Sequence, residues 1–505
     1  MTRRRLALTS ICLSFVAAVA VPACDDTAAS PCTPGQSIAC TGDAACAGHQ
    51  VCKADGSAYD DCVCATSSSS GASSASGALT GGAGGASSTS VGATSTTSAS
   101  SSSVGGASSS SGGAPCTMVY QGSFTIQDLS DIAIIAPYCE ITGDLVVSAT
   151  NLTILQLPNL ETLGGSLRNL GAMGLDTLDL PKLRTATDID PRNGPPSLHV
   201  LNLPKLESAE MIWGGSPATV HLESLVSGRM ALGVGSATID LPSLTTGSVL
   251  VQTSGAFSAP QLSADLPPCT SAECIAGFAG VNVTAASISL PVLASARAVS
   301  VKATASNVSL PALTTIGTDP MLSILMAVSE AGTVDVPLIG AAPNVYVSAL
   351  GAATLPQLTT VGRTADFEGG AISVPKLDHI GEELRIAGQV SSFSAPALET
   401  LGGGSAVGIL SVRGSTLSTL SLPSLQSFGA LLLAYPGGNY VNPNLSQIAL
   451  PALVQFASNG PFLVGTNPML PQCRIDALAA KMHAAGWAPN QSPQLYTTQP
   501  SGPCP

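Results

Sequence analysis

Charge is what this sequence most conspicuously lacks. Of 505 residues, 18 are Lys or Arg and 31 are Asp or Glu; charged side chains make up 10% of the chain and the formal net charge is −13. A chain that tracks phosphates needs clustered Lys and Arg, so nucleic acid is excluded as a partner. Ordinary globular domains carry about 25% charged residues, which sets this chain apart from a typical cytosolic enzyme. Aromatics are scarce too, at 4%, and any core must be built mainly from aliphatic side chains. Yet 45% of the residues are hydrophobic, too many for a wholly disordered polymer. Downstream of the N-terminus no apolar run reaches the ~20 residues needed to span a bilayer.

The N-terminus is an address. Arg3, Arg4 and Arg5 precede an apolar stretch from Leu6 to Val21, the layout of an export signal. Val21-Pro22-Ala23-Cys24 resembles a lipobox, which implies that residues 1–23 are removed and Cys24 is lipidated. Val21 and Pro22 depart from the usual Leu and Ala or Ser of that motif. The alternative is plain secretion, with cleavage after Ala18-Val19-Ala20. Lipidation would tie the mature protein to a membrane, each buried methylene contributing ~0.8 kcal/mol. The expected localisation is the cell envelope, at the outer membrane or cell surface, with a secreted or periplasmic protein as the other outcome.

Cysteine, by contrast, is plentiful. Removing Cys12 with the signal and Cys24 to lipid leaves twelve of the 14 cysteines, an even number of the kind an oxidising compartment favours. Cys32, Cys40, Cys46, Cys52, Cys62 and Cys64 crowd into residues 24–64. So short a segment needs staples to fold. Zinc is a poor alternative, since the only close pair is Cys62-Val63-Cys64. Residues 65–115 are nearly all Ser, Gly, Ala and Thr without one charge. Such a linker is flexible and spans ~40 Å on average.

From 116 to 470 one motif returns. Leu157-Pro158-Asn159-Leu160, Leu180-Pro181-Lys182-Leu183 and Leu203-Pro204-Lys205-Leu206 open a series that continues through Pro451, at intervals of 18 to 31 residues. A period near 20 marks a solenoid. Three residues before each proline stands an apolar column (Leu155, Leu178, Leu201, on to Phe393, Leu420 and Ile448), followed by a mostly polar one (Gln156, Asp179, Asn202, on to Ser394 and Ser421). That alternation is a strand with one buried face. Proline, lacking an N–H, ends the strand. Many copies carry a glycine a few residues later (Gly164, Gly317, Gly362, Gly381, Gly402, Gly429), suited to a positive-φ turn. The Asn ladder of leucine-rich repeats is missing, which favours a parallel β-helix. The expected fold is all-β, roughly fourteen coils stacked over ~65 Å.

The run from Tyr120-Gln121-Gly122 through Ile141-Thr142-Gly143-Asp144-Leu145 to Leu157-Pro158-Asn159-Leu160-Glu161-Thr162-Leu163-Gly164 resembles the receptor L-domain. The likeness implies a right-handed β-helix; it is strongest over 116–183 and thins to bare LPxL repeats beyond. The whole layout resembles surface lipoproteins of myxobacteria-like organisms.

Open coil ends invite aggregation and need caps. Cys116 and Cys139 are placed to tie the front. In residues 471–505, a helix over 474–485 would present Ile475, Leu478 and Met482 on one face, followed by Trp487, with Cys473 and Cys504 as a clamp. Cys269 and Cys274 would staple the longest interval.

Chemistry is thin. Asp188 with Asp190 (Arg192 nearby) and Asp366 with Glu368 are carboxylate pairs of the kind glycoside cleavage uses, but beside Pro191 and Gly369 they read as solvated loop acids. Five histidines (His49, His199, His221, His379, His483) show no ligand spacing and read as surface or turn residues, and Lys182, Lys205 and Lys376 as solubilising turn residues. The expectation is therefore a non-enzymatic envelope lipoprotein with no metal, cofactor or catalytic residue, whose surface meets a cell-surface protein or polysaccharide. A carbohydrate-active β-helix enzyme and an adhesin are the alternatives.

Overall fold

The structure is a computed structural model that describes residues 37–41, 47–51, 53, 58–60, 63–64, 117–191, 198–267, 280–403, 406–434, 441–458 and 460–488. The signal segment, the spacer, Arg192 and ten of the cysteines named above (Cys24, Cys32, Cys46, Cys52, Cys62, Cys116, Cys269, Cys274 and Cys504 with the signal's Cys12) lie outside them. The chain divides into two units, residues 1–107 and 108–505. In the first, Ser37–Thr41, Ala47–Val51 and Val63–Cys64 form an antiparallel three-stranded sheet in which Cys40 and Cys64 both stand opposite Gly48.

The second unit is a parallel β-solenoid of about 14 turns. Each LPxL segment is a β-turn: the N–H of Leu160 donates to the Leu157 carbonyl (3.3 Å), and that of Leu183 to Leu180 (3.2 Å). Both leucines are buried, and proline's fixed φ suits the first corner position. One residue earlier the ladder is still running, since Leu157 N–H donates to Asp179 of the next turn and Leu180 N–H to Asn202. Proline follows at the first position where no donor is wanted. The pre-proline strands stack in register, Leu155, Leu178, Leu201 and Val220 in one column and Val308, Val334, Ala353, Ile372 and Phe393 in another.

After the corner a short strand leads past a glycine into the longest sheet. Its inward column runs unbroken from Phe124 and Leu145 through Leu167, Ile189 and Ile212, and on to Leu431 and Phe462. Leu145 to Phe462 in that column are buried. Burying one such side chain contributes about 1.5–3 kcal/mol, but only when a neighbouring turn covers it.

The glycines depart from expectation. Of the six singled out, only Gly402 has a positive φ, 90°. At Gly164 a Cβ would strike the Thr142 carbonyl, and at Gly381 the Gly362 carbonyl, closer than real Cβ atoms approach. Glycine is there because successive backbones touch at this corner.

Both ends are closed. At the front, α1 (Leu129–Ile135) starts on a capping box in which Asp128 accepts from Ser130 N–H and Asp131 from the backbone of Asp128. It buries Ile135 beside the edge-to-face rings of Tyr120, Phe124 and Tyr138. Sequence reading missed this helix. At the back, α2 (Gln472–Ala484) begins two residues earlier than expected and buries Ile475, Leu478 and Met482. Trp487 then packs edge-to-face on Phe462 (5.4 Å) and donates to the Gly460 carbonyl (3.1 Å).

Candidate functional site

A sheet facing solvent has an outer row between every pair of core residues, and any site on a solenoid wall must be built from such rows. On the long sheet, Tyr346, Asp366 and Arg385 are consecutive in one outer row, one residue per turn. Arg385 Nη1 donates to Asp366 Oδ2 at 2.9 Å, and Tyr346 Oη donates to Glu368 Oε2 at 2.8 Å. Asp366 is 8% exposed and its Oδ1 is buried without a hydrogen-bond partner. Burial pushes its carboxyl up to about 6, against the pull of Arg385. Tyr346 is pushed up to about 12, by burial and then by Glu368.

Neither acid pair sits on a loop. Asp188 and Asp190 lie on the strand Thr185–Asp190, and Asp366 and Glu368 on Thr364–Glu368; the turn residues Pro191 and Gly369 come after the strands. Asp188 accepts from Ser166 Oγ of the preceding turn at 3.1 Å. In the pre-proline outer row, Asp179 accepts from Gln156 and Asn202 on either side (2.7 and 2.6 Å), and Asp335 from Thr354 (2.6 Å). These acids tie turn to turn.

The histidines also make local contacts. His199 meets Asp176, His221 meets Glu223, and His379 meets Thr400. His221 and His379 lie on strands and His483 on α2, against Trp487; His199, His221 and His483 are exposed, in keeping with the surface setting expected of them, and His379 is half-buried. Among the described residues no group of His, Cys, Asp and Glu could hold a metal ion. Lys376 donates to Gln357 in the adjacent turn.

A feature the repeat pattern did not signal lies on the wall between 208 and 253. There the strands Ser208–Gly215, Ser227–Gly235 and Thr246–Thr253 are longer than in other turns. Register shifts fall between Trp213 and Gly215 and between Leu232 and Val234. Such bulges bend a strand and re-aim its side chains. Trp213, Ala231 and Leu250 form the outer row, alternating with the core residues Ile212, Met230 and Val249. Together with Gly215, Gly233, Leu232, Ser216 and Gln252 they enclose an outward-opening hollow of about 270 Å³. Among the described residues no charged side chain lines it. The signal available in sequence was the pair of glycine clusters, Gly214-Gly215 and Gly233-Val234-Gly235, beside one of only two tryptophans.

Cys139 and Cys473 are described, and the residues expected opposite them, Cys116 and Cys504, lie outside the described ones. Among the described residues no helix is long and apolar enough to cross a membrane. These features define the class, a parallel β-solenoid with a capped end and a polar, turn-to-turn bonded wall. No protein-family model, curated protein or solved structure matches the chain.

Proposed function

We propose that the chain is an envelope lipoprotein, held by lipid on Cys24, whose solenoid is carried clear of the membrane on the 65–115 spacer and presents a non-catalytic binding wall. The observation that supports a binding wall over a reactive one is the engagement of its acids. Asp366 is bonded to Arg385, Glu368 to Tyr346 and Asp188 to Ser166, which joins neighbouring turns. The receptor L-domain likeness, with its right-handed coil, belongs to this reading. So do disulfides among the six cysteines of 24–64 and the pairs Cys116–Cys139, Cys269–Cys274 and Cys473–Cys504.

The test follows the full-length chain and Cys24→Ala in a lipoprotein-processing bacterium fed a fatty-acid analogue. The expected result is label and membrane association for the parent chain only, with protease able to reach the solenoid on intact cells. An unlabelled parent chain would remove the anchor.

One observation favours a second reading, glycan cleavage. Asp366, with its carboxyl near 6, has the profile of a general acid, and Glu368 lies two residues along on the same strand. Release of reducing ends from a polysaccharide by the parent chain, abolished in Asp366→Asn, would replace the non-catalytic reading.

A further inference from the structure

We propose that the hollow beside Trp213 is a sugar subsite that holds one uncharged pyranose residue of a polysaccharide. The inference rests on the binding-wall reading above and gives that wall a place and a ligand class.

Three properties of the hollow select the ligand. Its walls are an indole ring and two aliphatic side chains, Trp213, Ala231 and Leu250, so the occupant needs a flat apolar face. Its rim carries a primary amide and a hydroxyl, Gln252 and Ser216, so the occupant needs uncharged donors and acceptors at its edge. Among the described residues nothing ionic lines it, so a carboxylate, sulfate or phosphate would be desolvated without a partner, at a large cost. A pyranose has one C–H face and a rim of hydroxyls, and meets all three conditions. Fatty chains and aromatic drugs would make no use of the amide and hydroxyl.

The floor is built by glycine. A Cβ on Gly233 would lie 2.7 Å from the Gly215 carbonyl and 2.8 Å from Ser216 Oγ, and Gly215 itself has φ 60°. No side chain can therefore replace Gly233 in this lining without displacing the neighbouring turn.

The wall continues the match. In the next turn Asn282 stands beside Leu250 and Thr284 beside Gln252, and Ser300 follows Asn282, while Lys302, which follows Thr284, is neutralised by an ion pair with Glu330. Amide and hydroxyl groups thus repeat at the ~4.8 Å strand spacing, close to the length of one hexose unit in an extended glycan. A chain lying along the solenoid axis would meet one rung per sugar after the hollow.

The experiment uses the full-length chain. Because the sequence has two tryptophans, Trp487→Phe leaves Trp213 as sole reporter. This variant is titrated with cellohexaose, mannohexaose and, as charged control, a galacturonate hexamer, by tryptophan emission and by calorimetry. The expected result is a saturable shift of Trp213 emission with a neutral hexamer and none with the uronate. Trp213→Ala and Gln252→Ala should each weaken binding about tenfold or more, the loss of a stacked ring or a hydrogen bond. Should Trp213→Ala misfold, Ala231→Leu, which fills the hollow between Trp213 and Leu250, must abolish the shift. Absence of any shift with both neutral hexamers, or affinity unchanged in Trp213→Ala or Ala231→Leu, overturns the subsite. In the second case the chain still binds glycan and the binding-wall reading survives. Failure of the parent chain to bind any glycan or intact cell would remove both.

Discussion

At Gly381 the backbone of one turn passes the Gly362 carbonyl so closely that no Cβ fits between them, whereas a Cβ on Gly340 would meet open space. Neither has a positive φ, so the two differ only in what lies beside them. Gly381→Ala must push two turns apart and should cost about 1–3 kcal/mol, the usual range for overpacking. Gly340→Ala should be neutral or stabilise by about 0.4–1 kcal/mol through the unfolded chain. Urea denaturation of the pair checks both. Equal effects would mean that the corner contact is not what selects glycine. Asp366 gives a second measurement at this scale. Its folded carboxyl titrates near 6 against an ordinary 3.8, so between those values the folded chain keeps a proton the unfolded chain has released. Its contribution to stability therefore falls as pH rises from about 4 to about 6, then levels. Asp366→Asn lacks that titration. Relative to the parent it should gain about 1–2 kcal/mol across that window, a range reduced for solvent screening. Unfolding at pH 4, 5, 6 and 7 follows the difference, and a flat one would sink the assignment. Residue identity told much of this in advance, the buried columns above all. It could not tell that Gly381 faces a carbonyl or that Asp366 is covered, because both depend on the neighbouring turn.

The elements that close the ends show a different balance. Ile475, Leu478 and Met482 repeat at helical spacing, and that pattern alone was enough to expect α2 and its buried face. Front helix α1 is seven residues long, too short for periodicity to reveal, and its one clear mark is the Asp128 and Asp131 pair that forms the capping box. Aromatics explain why the caps matter. Within the turns the section is thin and filled mainly by Leu, Val, Ile and Ala, with Phe257, Phe367 and Phe393 among the few buried rings, while Phe428, Phe456, Phe462 and Trp487 gather at the back in edge-to-face contacts. Trp487 is 6% exposed and is the ring that joins the cap to the last turns, helped by Phe456 N–H donating to the Ala485 carbonyl at 2.8 Å. Trp487→Ala should cost about 3–5 kcal/mol locally and bare the open edge beneath α2. Concentration-dependent light scattering, present in the variant and absent from the parent, is the expected sign. A variant as monodisperse and as stable as the parent would mean the helix is not the seal.

Across the whole solenoid, every ladder but the short antiparallel pairing of Gly402-Gly403 with Ala406-Val407 joins one turn to another, and the column from Phe124 to Phe462 is continuous, with no second core among the described residues to fall back on. Stability in such an array is close to a sum of turn energies and neighbour couplings. Damage should therefore be felt most where it is made, and less with each turn of distance. The period and the columns made this architecture legible from sequence. The bulged wall at 208–253 was not, since a register shift is a relation between turns and leaves no periodic mark in any one of them. The two tryptophans sit far apart along this array, one on that wall and one at the cap, and they can be isolated as Trp487→Phe and Trp213→Phe. Leu425 is buried in an LPxL corner two turns before the cap, and Leu425→Ala should remove about 2–5 kcal/mol there. In the Trp213→Phe background, the urea midpoint reported by Trp487 should fall clearly. In the Trp487→Phe background, the midpoint at Trp213 should move by less than half as much. Equal displacement of both midpoints would show one cooperative block, with coupling between turns strong enough to carry a local loss the full length of the coil.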